Sequence, residues 1–233
     1  MRHDKFISLI IPALNEEASI AAVLDAVPPW VDEKIVVDNG STDNTDQVAR
    51  DHGARTLHEP QAGYGAACLA GITASEHADI IVFLDADFSD DPSVMETLVD
   101  PISSGDADMT ISDRTATPEG RRVMAFVQIY GNGLACLLMK IFWGYRYHDL
   151  GPFRAISRLS LMRLDMSDRD YGWTVEMQIR ALKQKLNITQ VGVPYRKRLA
   201  GRSKISGTVS GVLRAGSKIL YVVFRELLHR KGV

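Results

Sequence analysis

Apolar residues along the first half of this chain alternate between two rhythms. Short runs with little polar interruption read as strands buried on both faces: Phe6–Ile11, Lys34–Asp38, Ala54–Glu59, Asp79–Leu84 and Ala107–Ser112. Between them, apolar positions fall at helical spacing in Glu17–Val27, with Asn15 as its candidate cap, and in Thr45–His52. The same spacing runs through Gly63–Ser75, whose small residues permit close packing, and through a segment from the Asp91-Pro92 cap to about Ser103. Repeated β-α-β units of this kind predict an α/β fold with a doubly wound, mostly parallel sheet. Ligands of such sheets bind beyond the carboxyl ends of the strands. Pro12, Asp38 and Asp85 fall at three such ends, so three loops should converge on one crevice.

The second half is less regular. Val123–Tyr145 is a long apolar stretch broken by Gln128, Gly131, Asn132, Gly133 and Lys140. Those breaks argue against a membrane-spanning helix and for a buried or interfacial one. Val175–Leu186 reads as a helix that starts after an aromatic turn, and Ile188–Pro194 as a strand. Tyr195–Ser210 is polar, basic and rich in Gly and Ser, so a mobile loop is expected there. Val212–His229 reads as a last helix in which Leu213, Leu220, Val223, Phe224, Leu227 and Leu228 form an apolar face. Arg214, Lys218, Arg225 and Arg230 interleave with it. It either docks on the domain or lies on a membrane surface, and the neighbouring charges favour the second.

The length of 233 residues suffices for one large α/β domain or a domain with a small appendage. Cys68 and Cys136 are the two thiols, far apart, which suggests neither a disulfide framework nor a zinc site. With no signal peptide apparent before the first strand, a reducing cytoplasm is the expected compartment. The net charge of −2 conceals an asymmetry: residues 180–233 hold 13 Lys or Arg against Glu226 alone. That basic end suits phosphates or anionic lipid, or is a solvated helix face. Nucleic acid is not an expected partner, because the preceding two-thirds is acidic and carries no recognition motif.

The most informative chemistry is Asp85-Ala86-Asp87, which closes the run Ile80-Ile81-Val82-Phe83-Leu84. Two carboxylates one residue apart at a sheet edge can hold a hard divalent cation, and the cation can hold a diphosphate. Taken alone, the same pattern also describes a strand followed by an acidic turn. Asp38 ends another strand and can accept a hydrogen bond from the imide N–H of uracil or guanine; its simpler role is turn formation with Gly40 and Ser41. Glu16 or Glu17 can reach a nucleotide or merely favour the helix dipole. Gly63 and Gly65 would let the backbone approach a ribose or phosphate closely. The absence of G-x-G-x-x-G before the first helix argues against a dinucleotide dehydrogenase.

Four segments taken together resemble the GT-A-fold, family-two glycosyltransferases over roughly residues 6–115. They are Ile10–Glu17, Val36–Thr45, Gly63-Tyr64-Gly65-Ala66-Ala67 and Phe83–Asp87. The resemblance implies a Rossmann-like nucleotide-binding fold. It implies nucleotide-sugar contacts from Pro12, Ala13, Asn15, Glu17, Asp38, Gly63, Tyr64, Gly65, Asp85, Ala86 and Asp87. It also implies that Asp87 binds Mg²⁺ or Mn²⁺ directly, with Asp85 on ribose or on a metal-bound water. Two departures stand out. Asn39 occupies a position where many members have a second acid, and Ser89 one where lipid-phosphate enzymes often have Gln, a loss for which Asp90 or Asp91 would have to compensate.

The second half resembles the polyprenyl (dolichyl) phosphate mannose and glucose synthases. Ser112-Asp113-Arg114, Arg121-Arg122, Asp149-Leu150-Gly151-Pro152-Phe153-Arg154, Tyr171–Glu176, Val193–Arg196 and Gly201-Arg202-Ser203-Lys204 carry that likeness. It implies a GT-A domain over 1–206, with a nucleotide-sugar half to 115, an acceptor half over 116–206 and a mobile basic loop at 196–206, then a basic amphipathic helix over 207–233. Arg114, Arg121, Arg122 and Ser203 would hold an acceptor phosphate, and Arg202 and Lys204 would stabilise the leaving diphosphate.

A lipid monophosphate is already anionic and needs only positioning, which Arg suits. A hydroxyl acceptor would need a base, for which Asp149 and Glu176 are the candidates. The expected activity is metal-dependent, inverting transfer of a hexose from a UDP- or GDP-sugar to a polyprenyl phosphate, in the cytoplasm or on the inner face of the membrane. The alternatives are a soluble transferase with a small acceptor and a nucleotide-sugar-binding protein without turnover. The sugar and the oligomeric state stay open, since the apolar helix would serve equally as a dimer surface.

Overall fold

A computed structural model describes residues 1–201 and 209–229, with the side chains at 126, 127 and 209–213 left aside. Seven strands form one sheet in the order β3-β2-β1-β4-β6-β5-β7. They are β1 Ile7–Ala13, β2 Glu33–Asp38, β3 Arg55–His58, β4 Ile80–Phe83, β5 Met109–Asp113, β6 Arg154–Ser157 and β7 Ile188–Gly192. The helices are α1 Glu17–Asp25, α2 Thr45–Asp51, α3 Tyr64–Ala74, α4 Glu96–Ser103, α5 Pro118–Val123, α6 Phe126–Trp143, α7 Arg158–Leu164, α8 Trp173–Lys183 and α9 Val209–Leu228.

The uninterrupted apolar runs follow from helices covering both faces of the sheet. On β1, Ile7, Leu9 and Ile11 pack with Ile20, Val23 and Leu24 of α1 and Leu98, Val99 and Ile102 of α4. Ile10 faces the opposite layer with Ala67 and Cys68 of α3, Met139 of α6, and Trp173 and Met177 of α8. The expected doubly wound sheet is therefore present. β1, β2, β3 and β4 pair in parallel, and so do β5 and β7.

Three elements had no counterpart in the sequence reading: α5, α7 and β6. β6 runs antiparallel between β4 and β5. It has only four residues and begins with Arg154, which is fully buried and donates to the carbonyls of Gly151, Leu150 and Thr174. Such a segment is a strand because its neighbours supply the ladder, not through its own pattern.

Of the two readings offered for the last helix, docking on the domain is observed for one face of α9. Val222 and Val223 are fully buried, and two of its cations, Lys218 and Arg225, turn inward. Lys218 Nζ lies 2.9 Å from Asp168 Oδ2, and Arg225 Nη2 lies 2.5 Å from Glu176 Oε1. Glu226 in turn receives Lys183 at 2.8 Å and Arg180 at 3.1 Å. The basic residues here neutralise buried carboxylates of the domain itself.

Candidate active site

The carboxyl ends of β1, β2 and β4 open on a cleft of about 420 Å³. Pro12, Ala13, Leu14 and Glu16 come to it from β1 and the turn after it, Asn39 from β2, and Gly63, Tyr64 and Ala67 from the start of α3. Asp85, Ala86 and Asp87 enter from β4, with Asp170, Tyr171, Arg198 and Arg214 completing the walls. The convergence expected at Pro12 and Asp85 is observed, and β2 takes part through Asn39.

Asp85 Oδ1 accepts a hydrogen bond from the Tyr64 hydroxyl at 3.1 Å. Desolvation of its carboxyl, followed by the negative charge of Asp87, pushes its pKa up to about 6. Asp87 Oδ1 accepts from the Ser89 N–H at 2.9 Å and the Ser89 hydroxyl at 2.5 Å. Ser89 thus orients Asp87 directly. Asp87 Oδ2 remains on the cleft side, 3.9 Å from Arg198 Nη2, while that guanidinium holds Glu16 at 2.7 Å. Two repelling carboxylates with free oxygen lone pairs fit a hard divalent cation. No group of three or more His, Cys, Asp or Glu forms a complete ligand set among the described residues. Substrate oxygens and water would have to fill the remaining positions.

The neighbouring Asp90 is buried with neither carboxyl oxygen hydrogen-bonded, and burial pushes its pKa up to about 8. The basic segment after β7 lies along this acidic loop. Arg196 N donates to the Ser89 carbonyl and Leu199 N to the Asp87 carbonyl, while Arg196 pairs with Asp91 at 3.0 Å. The chain leading to Gly201 is thereby fixed above the acidic pair. Arg202, Ser203 and Lys204 lie outside the described residues.

Several of the residues expected at the nucleotide also brace the cleft. Asp38 is buried and receives the Ser41 N–H on both oxygens, with His58 Nδ1 3.3 Å away. Asn15 accepts from Thr42 N at 2.7 Å, and Glu17 from Asn44 N at 3.1 Å, so both tie α1 to the 42–44 turn. Asn39 donates to the carbonyls of Glu59 and Gln61 and accepts from Gly63 N at 2.7 Å. A carboxylate there could not donate to those carbonyls, which accounts physically for an amide at this position. A Cβ on Gly63 would meet the Arg169 carbonyl oxygen at 2.1 Å, and one on Gly65 the Asp168 carbonyl oxygen at 2.1 Å. The 168–170 backbone is thus one close neighbour that these glycines admit. That segment carries Asp170 and Tyr171 into the cleft.

Residues 8–163 match the family model for glycosyl transferase family 2. The chain belongs to glycosyltransferase family 2. It is 34% identical over 209 residues to an uncharacterized glycosyltransferase of Mycobacterium tuberculosis, covering 90% of this chain and 94% of that one. It is 28% identical over 225 residues to the dolichyl-phosphate hexose transferase of Haloferax volcanii, covering 95% and 96% of the two chains. Among solved structures it superposes with TM-score 0.79 and 27% identity on glucosyl-3-phosphoglycerate synthase from M. tuberculosis in complex with Mn²⁺, UDP-glucose and phosphoglyceric acid. That match covers 96% of this chain and 80% of the other. The fold is GT-A-like, and the protein is a glycosyltransferase.

The three arginines expected around one phosphate, Arg114, Arg121 and Arg122, do not share a partner among the described residues. Arg114 is buried; its Nε and Nη2 meet Asp149 at 2.6 and 2.9 Å, and its guanidinium stacks on Tyr195. Asn132 of α6 also donates to Asp149 at 2.6 Å. Burial works against ionisation of Asp149, but the Arg114 guanidinium outweighs it and holds the carboxyl below its ordinary range. Arg121 is exposed and gives Nε to the Thr115 carbonyl, and Arg122 is exposed beside it. Glu176, the other candidate base, is fully buried and accepts from Ser167 and Asp168 N–H groups at 3.0 and 2.8 Å. The sequence reading missed Arg198, whose signal was its place within a basic segment directed at an acidic loop.

Proposed function

We propose that this family-two transferase is a metal-dependent, inverting hexosyltransferase that takes its sugar from a nucleotide diphosphate, preferably UDP, and delivers it to a polyprenyl phosphate of the dolichyl type. The observation that carries the reading is the Asp85–Asp87 pair, set at the end of β4 in the cleft with Asp87 oriented by Ser89. Asp87 and Asp85 would hold Mg²⁺ or Mn²⁺, in keeping with the Mn²⁺ and Mg²⁺ complexes of the M. tuberculosis synthase with UDP. When bound, the cation offsets charge that develops on the departing diphosphate. Arg198 stands beside Asp87 to meet the same charge, and Arg202 and Lys204 follow it in the chain for the same task.

A phosphate oxygen of the acceptor attacks the anomeric carbon from the side opposite the diphosphate, so configuration inverts. Such an oxygen needs no general base. The commitment of Asp149 to Arg114 and of Glu176 to the 167–168 backbone favours that acceptor over a hydroxyl. A lipid is further supported by an exposed apolar stripe on α6, comprising Tyr130, Leu134, Leu137 and Ile141. Tyr221, Phe224 and Leu228 of α9 extend it, joined through Phe142 and Phe224 with ring centroids 6.2 Å apart. No described helix is long and apolar enough to cross a membrane, so contact would be peripheral, on the inner face.

A small phosphorylated acceptor is the second reading, favoured by the superposition on a synthase bound to phosphoglyceric acid. Turnover with UDP-glucose or GDP-mannose and Mn²⁺, offered a short polyprenyl phosphate or 3-phosphoglycerate, separates the two. Product with the lipid alone supports the first. Transfer to phosphoglycerate alone replaces it with the second.

A further inference from the structure

A second cavity, of about 660 Å³, lies between the carboxyl end of β5, helix α6 and residues 146–148, and shares no lining residue with the donor cleft. Arg121, Lys140 and Arg146 bring three permanent cations to it, and His148 a titratable one. Asp113 is the acid in its lining and is already engaged. Its Oδ1 accepts from the N–H and hydroxyl of Thr115 at 2.9 and 2.6 Å, and its Oδ2 lies 3.2 Å from His148 Nδ1.

The cations are not so engaged. Arg121 spends only Nε on the Thr115 carbonyl, which leaves its two terminal nitrogens. The Lys140 and Arg146 side chains have no ion pair or hydrogen bond with any described residue, and both are exposed. Like charges held around one hollow repel, and an anion between them removes that cost. Three Lys and Arg cations less one carboxylate leave +2. A phosphomonoester, at about −1.5 to −2 near neutrality, matches that charge and offers oxygens that an Arg fork can take in pairs. Leu137 forms part of the wall and is 52% exposed, continuing outward into the apolar stripe of α6.

We infer that this cavity is a second anion site, distinct from the donor cleft, that binds a phosphomonoester through Arg121, Lys140 and Arg146. The ester is supplied either by a small soluble metabolite or by a lipid headgroup whose chain lies along Leu137 and its neighbours. The inference does not depend on the identity of the sugar acceptor, and donor binding provides its control.

The test compares the wild-type protein with a Lys140→Ala/Arg146→Ala variant and a Lys140→Arg/Arg146→Lys variant. Calorimetric titration with glycerol 3-phosphate tests the soluble source. Sedimentation with phosphatidylcholine vesicles, with and without phosphatidic acid, tests the lipid source. Stabilisation by UDP with Mn²⁺ reports the donor cleft and correct folding. The expected result is binding of at least one probe that weakens by about tenfold or more in the alanine variant, is retained in the charge-conserving one, and leaves the UDP response unchanged. Weakening toward glycerol phosphate assigns a soluble ester; weakening toward phosphatidic acid vesicles alone assigns a headgroup. Failure of the wild type to bind either probe, or equal binding by the alanine variant, overturns the site. Loss of the UDP response in wild-type protein would instead count against the donor reading alone.

Discussion

Arg114 and Asp149, 35 residues apart, form a two-pronged ion pair at the end of β5, with Nε to Oδ2 at 2.6 Å and Nη2 to Oδ1 at 2.9 Å. Both side chains are almost fully withdrawn from solvent. Removing one partner of such a pair strands a buried charge, which costs about 3–5 kcal/mol. Arg114→Ala should therefore unfold at markedly lower denaturant than wild type, as measured by urea titration followed by circular dichroism. An Arg114→Ala protein as stable as wild type, yet inactive, would show that the arginine serves the substrate and not the scaffold.

Asp85 gives a pH signature. Its folded pKa of about 6 lies above the ordinary carboxylate value, chiefly through desolvation and then through Asp87. The sign follows: the folded state holds this proton more tightly than the unfolded chain does. Metal-free stability should then fall as pH rises from about 4 to 6, while Mn²⁺ affinity should fall as pH drops through about 6. Asp85→Asn should melt higher than wild type at pH 7.5 without metal and lose the stabilisation by UDP with Mn²⁺. Melting curves in EDTA and in Mn²⁺ check both parts.

Gly65 tests how the 168–170 segment shapes the cleft. A methyl group there would sit 2.1 Å from the Asp168 carbonyl oxygen, so Gly65→Ala must push that backbone away. The expected loss is about 1–3 kcal/mol of stability. Because Asp170 and Tyr171 ride on the segment, the Michaelis constant for the nucleotide sugar should rise. Steady-state kinetics with donor varied would show it, and an unchanged constant would detach the segment from donor binding.

Arg198 lies between Glu16 at 2.7 Å and Asp87 at 3.9 Å. Under the proposed reaction its loss removes a positive charge from beside the departing diphosphate, an effect of the kind that lowers kcat by about 10²–10³. Arg198→Ala should show that fall with UDP–Mn²⁺ binding weakened less. A kcat within a factor of two of wild type would remove Arg198 from the reaction.

The first four strands and the helices between them were legible because their signals are local. A strand buried on both faces must be apolar, and Asn15 after β1 and Asp85 after β4 mark where the apolar runs give way to polar residues. Contacts between distant residues were not legible, because no local pattern announces them. Nothing near Arg114 in the sequence says that Asp149 will absorb its charge, and nothing in Gly63-Tyr64-Gly65 reveals that Asp168 and Arg169 will press against it. Arg154-Ala155-Ile156-Ser157 is too short and too polar at its start to announce a strand. The last helix misled for a related reason: its cations were visible, but Asp168 and Glu176, which receive Lys218 and Arg225, lie elsewhere in the chain.

That last contact ties two remote places together. The loop whose far end forms one wall of the sugar-nucleotide pocket is pinned at Asp168 by a lysine from the tail. Trimming the protein before residue 209 would strip buried Asp168 of both its counter-ions and leave buried Glu176 with Arg180 alone. A shortened form prepared for crystallisation should thus bind nucleotide poorly, even though every pocket side chain except Arg214 is still present.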